Sequence, residues 1–141
     1  MGPDLAASNV NRSYQLGATC IAIFTFMLIF LYPRFANGDI NAVLFQATLI
    51  VMAVAAFSFV FTTFYYYGAS LTDRFKEAER ASYARRGDRF WLLGYTLLLL
   101  DPSLILFCVG LVVVASVWLA LWLAYLYVAL RNFPRVQTPR A

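Results

Sequence analysis

The chain has no histidine in 141 residues. That removes histidine-ligated haem, most catalytic zinc sites and the commonest general base. Lysine is almost absent: Lys76 stands alone among eleven cations, the other ten being arginines. Charge as a whole is scarce at 13% of residues, against about 25% in a soluble domain. Cations so few and so dispersed do not make a nucleic-acid footprint. The two cysteines, Cys20 and Cys108, lie in apolar runs with no CxxC partner. They read as small packing residues rather than a redox or metal pair. Outside Asp101, carboxylates come close to one another only in a charged stretch. There Glu77 and Glu79, two residues apart, fall on different faces of a helix. No nucleophile sits beside a base. We therefore expect no catalysis, no metal and no cofactor.

Apolar residues make up 62% of the chain, and mean hydropathy is +0.71. A soluble chain of this size cannot hide that much apolar surface in one core, and the same composition excludes disorder over most of its length. The expected class is an all-α integral membrane protein, a small polytopic helical bundle of four helices.

Residues 1–13 are polar and read as a tail rather than a cleavable signal, because the apolar run after them is long and lacks a cleavage site. The first span is expected over 14–32, with Pro33 as its stop and Asp39 as a candidate N-cap for the next helix. The second runs over 40–67, ending in Tyr65, Tyr66 and Tyr67 with Gly68 as a natural C-cap. Together these form a hairpin over 14–67.

Residues 68–89 form a charged connector. Six cations, Arg74, Lys76, Arg80, Arg85, Arg86 and Arg89, alternate with Asp73, Glu77, Glu79 and Asp88. Ser70 and Asp73 match a capping pattern, Asp73–Lys76 and Glu77–Arg80 are spaced as helical pairs, and Gly87 follows as an expected stop. Such a basic segment belongs on the cytoplasmic side. Two readings stay open: a membrane-surface helix that attracts anionic lipid, or a solvated connector.

Residues 90–131 are almost continuously apolar, broken at Asp101-Pro102-Ser103. Asp followed by Pro has the form of an N-cap and first helical residue, so a turn is expected there and a last helix from Pro102 to about Leu130. The segment from Phe90 to Leu100 is then only about 16 Å long and does not cross a bilayer by itself. An earlier start near Tyr83 would reach about 27 Å, but only with Gly87 and its arginines inside the helix. Arg131, Arg135 and Arg140, all after Leu130, favour the cytoplasm for the tail over 132–141, which requires an even number of crossings. We expect a C-terminal hairpin with both termini cytoplasmic in a bacterial-type inner or plasma membrane. The alternative is three spans with 90–100 re-entrant.

Asp101 reads either as that cap or as an intramembrane ionisable group, a functional candidate by default. With Asn41, Thr48, Ser58 and Thr62 of the second span it forms a candidate polar or ion site. The sevenfold spacing of Asn41, Thr48, Ala55 and Thr62 equally suits close helix packing. Ser116, Ala120 and Ala124 make a small-residue ridge for helix association. Trp91, Trp118, Trp122 and Tyr125 read as interfacial aromatics, or for the last three as a stacking surface for a lipid or quinone tail. The function expected is a membrane protein that packs as a homo-oligomer or as an accessory subunit, with membrane lipid and other membrane subunits as partners and no nucleic acid. The alternative is a homo-oligomeric channel or transporter using Asp101 and the stripe of the second span.

Overall fold

The computed structural model describes the backbone over residues 3–71 and 74–136 and the side chains over 7–71 and 74–131. These residues form four helices: α1 (Pro3–Ala36), α2 (Ala42–Ser70), α3 (Glu77–Cys108) and α4 (Val112–Val136). All four are long and apolar enough to cross a membrane. The expected four-helix, all-α layout is therefore present, but its boundaries differ from those read above.

The helix α1 begins at Pro3, so most of the expected tail is helical, with proline at the first position where its missing N–H costs nothing. It also passes through Pro33 to Ala36. The stop is Gly38, at φ 80°. Its N–H bonds to the Phe35 carbonyl at 3.0 Å, and the Asp39 N–H bonds to the Arg34 carbonyl at 2.9 Å. This pair of bonds is a Schellman closure, which needs a left-handed residue and so favours glycine. The N-cap of α2 is Asn41 rather than Asp39. Its side-chain oxygen accepts from the Val43 and Leu44 N–H groups at 3.0 and 3.1 Å.

The expected turn at Asp101-Pro102 does not occur. Neither does a separate connector helix: α3 runs unbroken from Glu77 through Gly87 and Pro102 to Cys108. Its start is held by Glu79, whose carboxylate accepts from the Lys76 N–H at 3.1 Å. The real turn repeats the closure of α1: Gly110, at φ 80°, donates to Phe107 at 3.1 Å, and Leu111 donates to Leu106 at 2.9 Å. Pro102 only withholds an N–H from the Leu98 carbonyl, one bond out of a 32-residue helix. Neighbouring helices can compensate such a loss. Asp73 and the side chains of Arg135 and Arg140 lie outside the described residues.

Packing follows one period. In α2 the buried residues Phe45, Thr48, Met52, Ala55, Phe59, Thr62, Tyr66 and Ala69 alternate at spacings of three and four. That is the seam of left-handed helix packing. In α3 the buried residues Gly87, Gly94, Asp101 and Cys108 recur every seventh position. In α1, Ser13, Gly17, Cys20 and Met27 follow the same rule. The central helix is α2, which packs against both α1 and α3, while α4 contacts α3 alone. A core of Cys20, Met27, Met52, Ala55 and Phe59 joins the first three helices.

The outer faces are as apolar as the seams. Phe30, Phe57, Phe64 and Val113 are more than half exposed, a continuous apolar exterior that water does not tolerate at this extent. The helix registers also align the charges. Gly17 faces Phe59, Gly87 faces Tyr66, and the Tyr95 ring meets Tyr125. Extending these pairings brings Arg12, the Arg85–Arg89 group and Arg131 to one end of the bundle. Arg34 and Asp39 lie at the other. Between the arginines and the Gly110 turn, Phe90 to Cys108 is about 28 Å of helix, the thickness of a bilayer's hydrocarbon core.

Candidate functional site

The charged end is built by contacts between α2 and α3. Gly87 has no side chain, so the Tyr66 ring lies where a Cβ would approach it to 3.0 Å. That approach lets the Tyr66 hydroxyl donate to the Asp88 carboxylate at 2.6 Å. Arg80 is half-buried and donates from Nε to the Ala69 carbonyl at 2.9 Å, tying the start of α3 to the end of α2. Arg74, Lys76, Arg85, Arg86 and Arg89 are exposed. Tyr66→Phe removes a charge-assisted bond and is expected to cost about 1.5–3 kcal/mol. Thermal unfolding in detergent tests this, and an unchanged midpoint would show that the contact carries no stability.

Asp101 lies in the middle third of the segment from Phe90 to Cys108. It is 1% exposed, and neither carboxylate oxygen has a hydrogen-bond partner among the described residues. The seam register places it beside Met52 and Ala55 of α2, between the Gly94–Ser58 contact and the Cys108–Thr48 contact. The thiols of Cys20, from α1, and Cys108 lie within its electrostatic range. The hydroxyls nearby are already committed. Thr48 donates to Leu44 at 2.8 Å, Ser58 to Val54 at 2.7 Å and Thr62 to Ser58 at 2.8 Å. Ser103 donates across to the Ala115 carbonyl of α4 at 2.9 Å.

Of the residues grouped from the sequence, Thr48, Ser58, Thr62 and Asp101 line one seam between α2 and α3. Asn41 does not join them; it is exposed at the turn end of α2. Gly94 was not singled out, although its place in the seven-residue row from Gly87 to Cys108 was visible in the sequence. A Cβ there would meet Ser58 at 3.1 Å and the Phe59 ring at 3.2 Å.

The other groups sit on α4 and α3. Ser116, Ala120 and Ala124 are all exposed, and the Ser116 hydroxyl bonds back to Val112 at 2.8 Å. On the side of α4 that meets α3, Trp118 donates its indole N–H to the Leu99 carbonyl at 2.8 Å and Trp122 to the Thr96 carbonyl at 2.9 Å. Both bonds lie within the apolar segment, close to the proline break. Tyr125 packs edge-on against Tyr95, which stacks on Trp91 at 5.1 Å. Among the described residues, no three of Cys, Asp and Glu come together as a metal cluster would require.

The chain matches no protein-family model, no curated protein and no solved structure. Its function has to be argued from its own residues.

Proposed function

We propose that this chain is a non-catalytic membrane protein of four spans that assembles through α4 with a second copy or with other membrane subunits. The arginine-rich end faces the cytoplasm of a bacterial-type inner or plasma membrane, with both termini there and anionic lipid headgroups around Arg85, Arg86 and Arg89.

The observation that carries the reading is the outward ridge of α4. Ser116, Ala120 and Ala124 are exposed on a helix whose opposite side is fastened to α3. In lipid the hydrophobic effect does not drive helices together, so small residues that let backbones approach closely become the basis of association. A row of three such residues at every fourth position is the form that allows it.

Replacing Ser116, Ala120 and Ala124 together with leucine fills the ridge without disturbing the α3 side of the helix. The triple variant is expected to shift from an assembly to the mass of a single chain by native mass spectrometry in mild detergent. A parent and a variant of the same mass would overturn the proposal.

A further inference from the structure

We infer that Asp101 is a binding site for a monovalent cation, H⁺ or a dehydrated Na⁺, set in the middle of the bundle between α2 and α3. The inference rests on the four helices spanning a membrane, and not on how α4 assembles.

Asp101 is not a helix cap, because α3 continues for seven more residues to Cys108. Nor does it hold the seam together through a bond, since neither oxygen has a partner among the described residues. A carboxylate buried without a partner is unfavourable, and the imbalance is met by a cation, a proton or a donor. Among the described residues the surroundings offer it no hydrogen-bond donor. Thr48 and Ser58 meet Cys108 and Gly94, one seven-residue repeat to either side of Asp101, and Ser103 bonds across to α4; all three give their protons to backbone carbonyls, so none donates to it. The Leu98 carbonyl, one turn before Pro102, receives no N–H from that residue. A buried carboxylate that no donor satisfies is left to a proton or a hard cation. It does not suit an anion or a second acid.

No other charge competes for the site. The titratable groups that come within range of its charge among the described residues are the thiols of Cys20, from α1, and Cys108, one seven-residue repeat along α3. On α2 the residues level with it are Met52 and Ala55, and on α4 the register brings Val117 and Trp118, none of them charged. Among the described residues, the other charged side chains lie at the two ends of the bundle, beyond the apolar segment.

Dicyclohexylcarbodiimide reacts with protonated carboxyls in apolar surroundings, so it reports on occupancy directly. The full chain in phospholipid nanodiscs is treated across a pH series, with and without NaCl against KCl, and the labelled residue is located by peptide mass spectrometry. Labelling is expected at Asp101 and not in Asp101→Asn. Above the midpoint the yield should fall about tenfold per pH unit, as for one titrating group. Protection by Na⁺ but not K⁺ at constant pH would identify Na⁺ as an occupant; loss of labelling with pH alone would identify H⁺. Absence of labelling at Asp101 at every pH, or labelling indifferent to both pH and Na⁺, would overturn the inference. The same series on the Ser116, Ala120 and Ala124 leucine variant keeps the two proposals apart, because the site lies on the far side of α3 from that ridge and should label unchanged in a single chain.

Discussion

Gly94→Leu is expected to be the most damaging single substitution in this protein. The Gly94 backbone lies so close to α2 that even a Cβ would sit 3.1 Å from the Ser58 Cβ and 3.2 Å from Phe59. Those neighbours are fixed. Phe59 is fully buried in the core that joins α1, α2 and α3, and the Ser58 hydroxyl is tied to Val54. A leucine therefore cannot be absorbed by a rotamer change and must push the two helices apart. Overpacking of this kind costs about 1–3 kcal/mol and occasionally more; the upper end is expected here, because separation also loosens the contacts at Gly87. Gly17→Ala is the control. Its Cβ would meet Phe59 at 3.6 Å, an ordinary contact, and alanine favours a helix by about 1 kcal/mol over glycine. Unfolding midpoints in detergent should fall by many degrees for the first variant and stay level or rise for the second. Equal midpoints would show that the α2–α3 seam is not closely packed at this point.

The second large effect is expected from Trp118→Ala combined with Trp122→Ala. Among the described residues α4 touches no other helix than α3, and apolar surface alone does not hold it there if lipid is the alternative neighbour. What fastens it is specific: two indole N–H bonds to α3 carbonyls, the Ser103–Ala115 bond and the ring contact between Tyr95 and Tyr125. Truncating both tryptophans removes two of these bonds, each worth about 1 kcal/mol, together with the packing of two large rings. The expected loss is about 3–5 kcal/mol, in the range of a single buried Trp→Ala change, because both rings are partly exposed. Hydrogen exchange should rise over 112–131 and stay unchanged in α2. Replacement of both by phenylalanine keeps the rings and removes only the bonds, so it should cost about 2 kcal/mol. Unchanged exchange in the alanine variant would mean that something other than the indoles holds α4.

These two effects could not be located from the sequence. Trp118 and Trp122 have the same sequence context as interfacial tryptophans, and only the α3–α4 pairing shows which carbonyls they reach. Gly87 has the look of a helix stop because a glycine after two arginines ends many helices. Here it stays inside α3, where the absent side chain admits Tyr66. The turn was misplaced for a related reason. Asp-Pro is a strong local signal for a helix start, but proline costs a long helix only one or two bonds. Gly110, with the left-handed conformation that closes a helix, decides where the chain reverses.

From the sequence alone came the all-α class, the four-helix layout and the gathering of cations toward one end. Those follow from composition and from the length of uncharged runs, which depend on no neighbour. It also showed the sevenfold stripe of α2, because small and hydroxyl-bearing residues stand out against a uniformly apolar background. Which face of each helix lies inside came only with the pairing of the helices. Hydrophobic contrast, the usual guide, is lost when the exterior is as apolar as the interior. The same pairing of helices moved Asp101 from the end of a helix to the interior of α3, in the middle third of its apolar segment. There it meets α2 with no partner for either oxygen among the described residues, and the same pairing left the small-residue ridge of α4 facing outward.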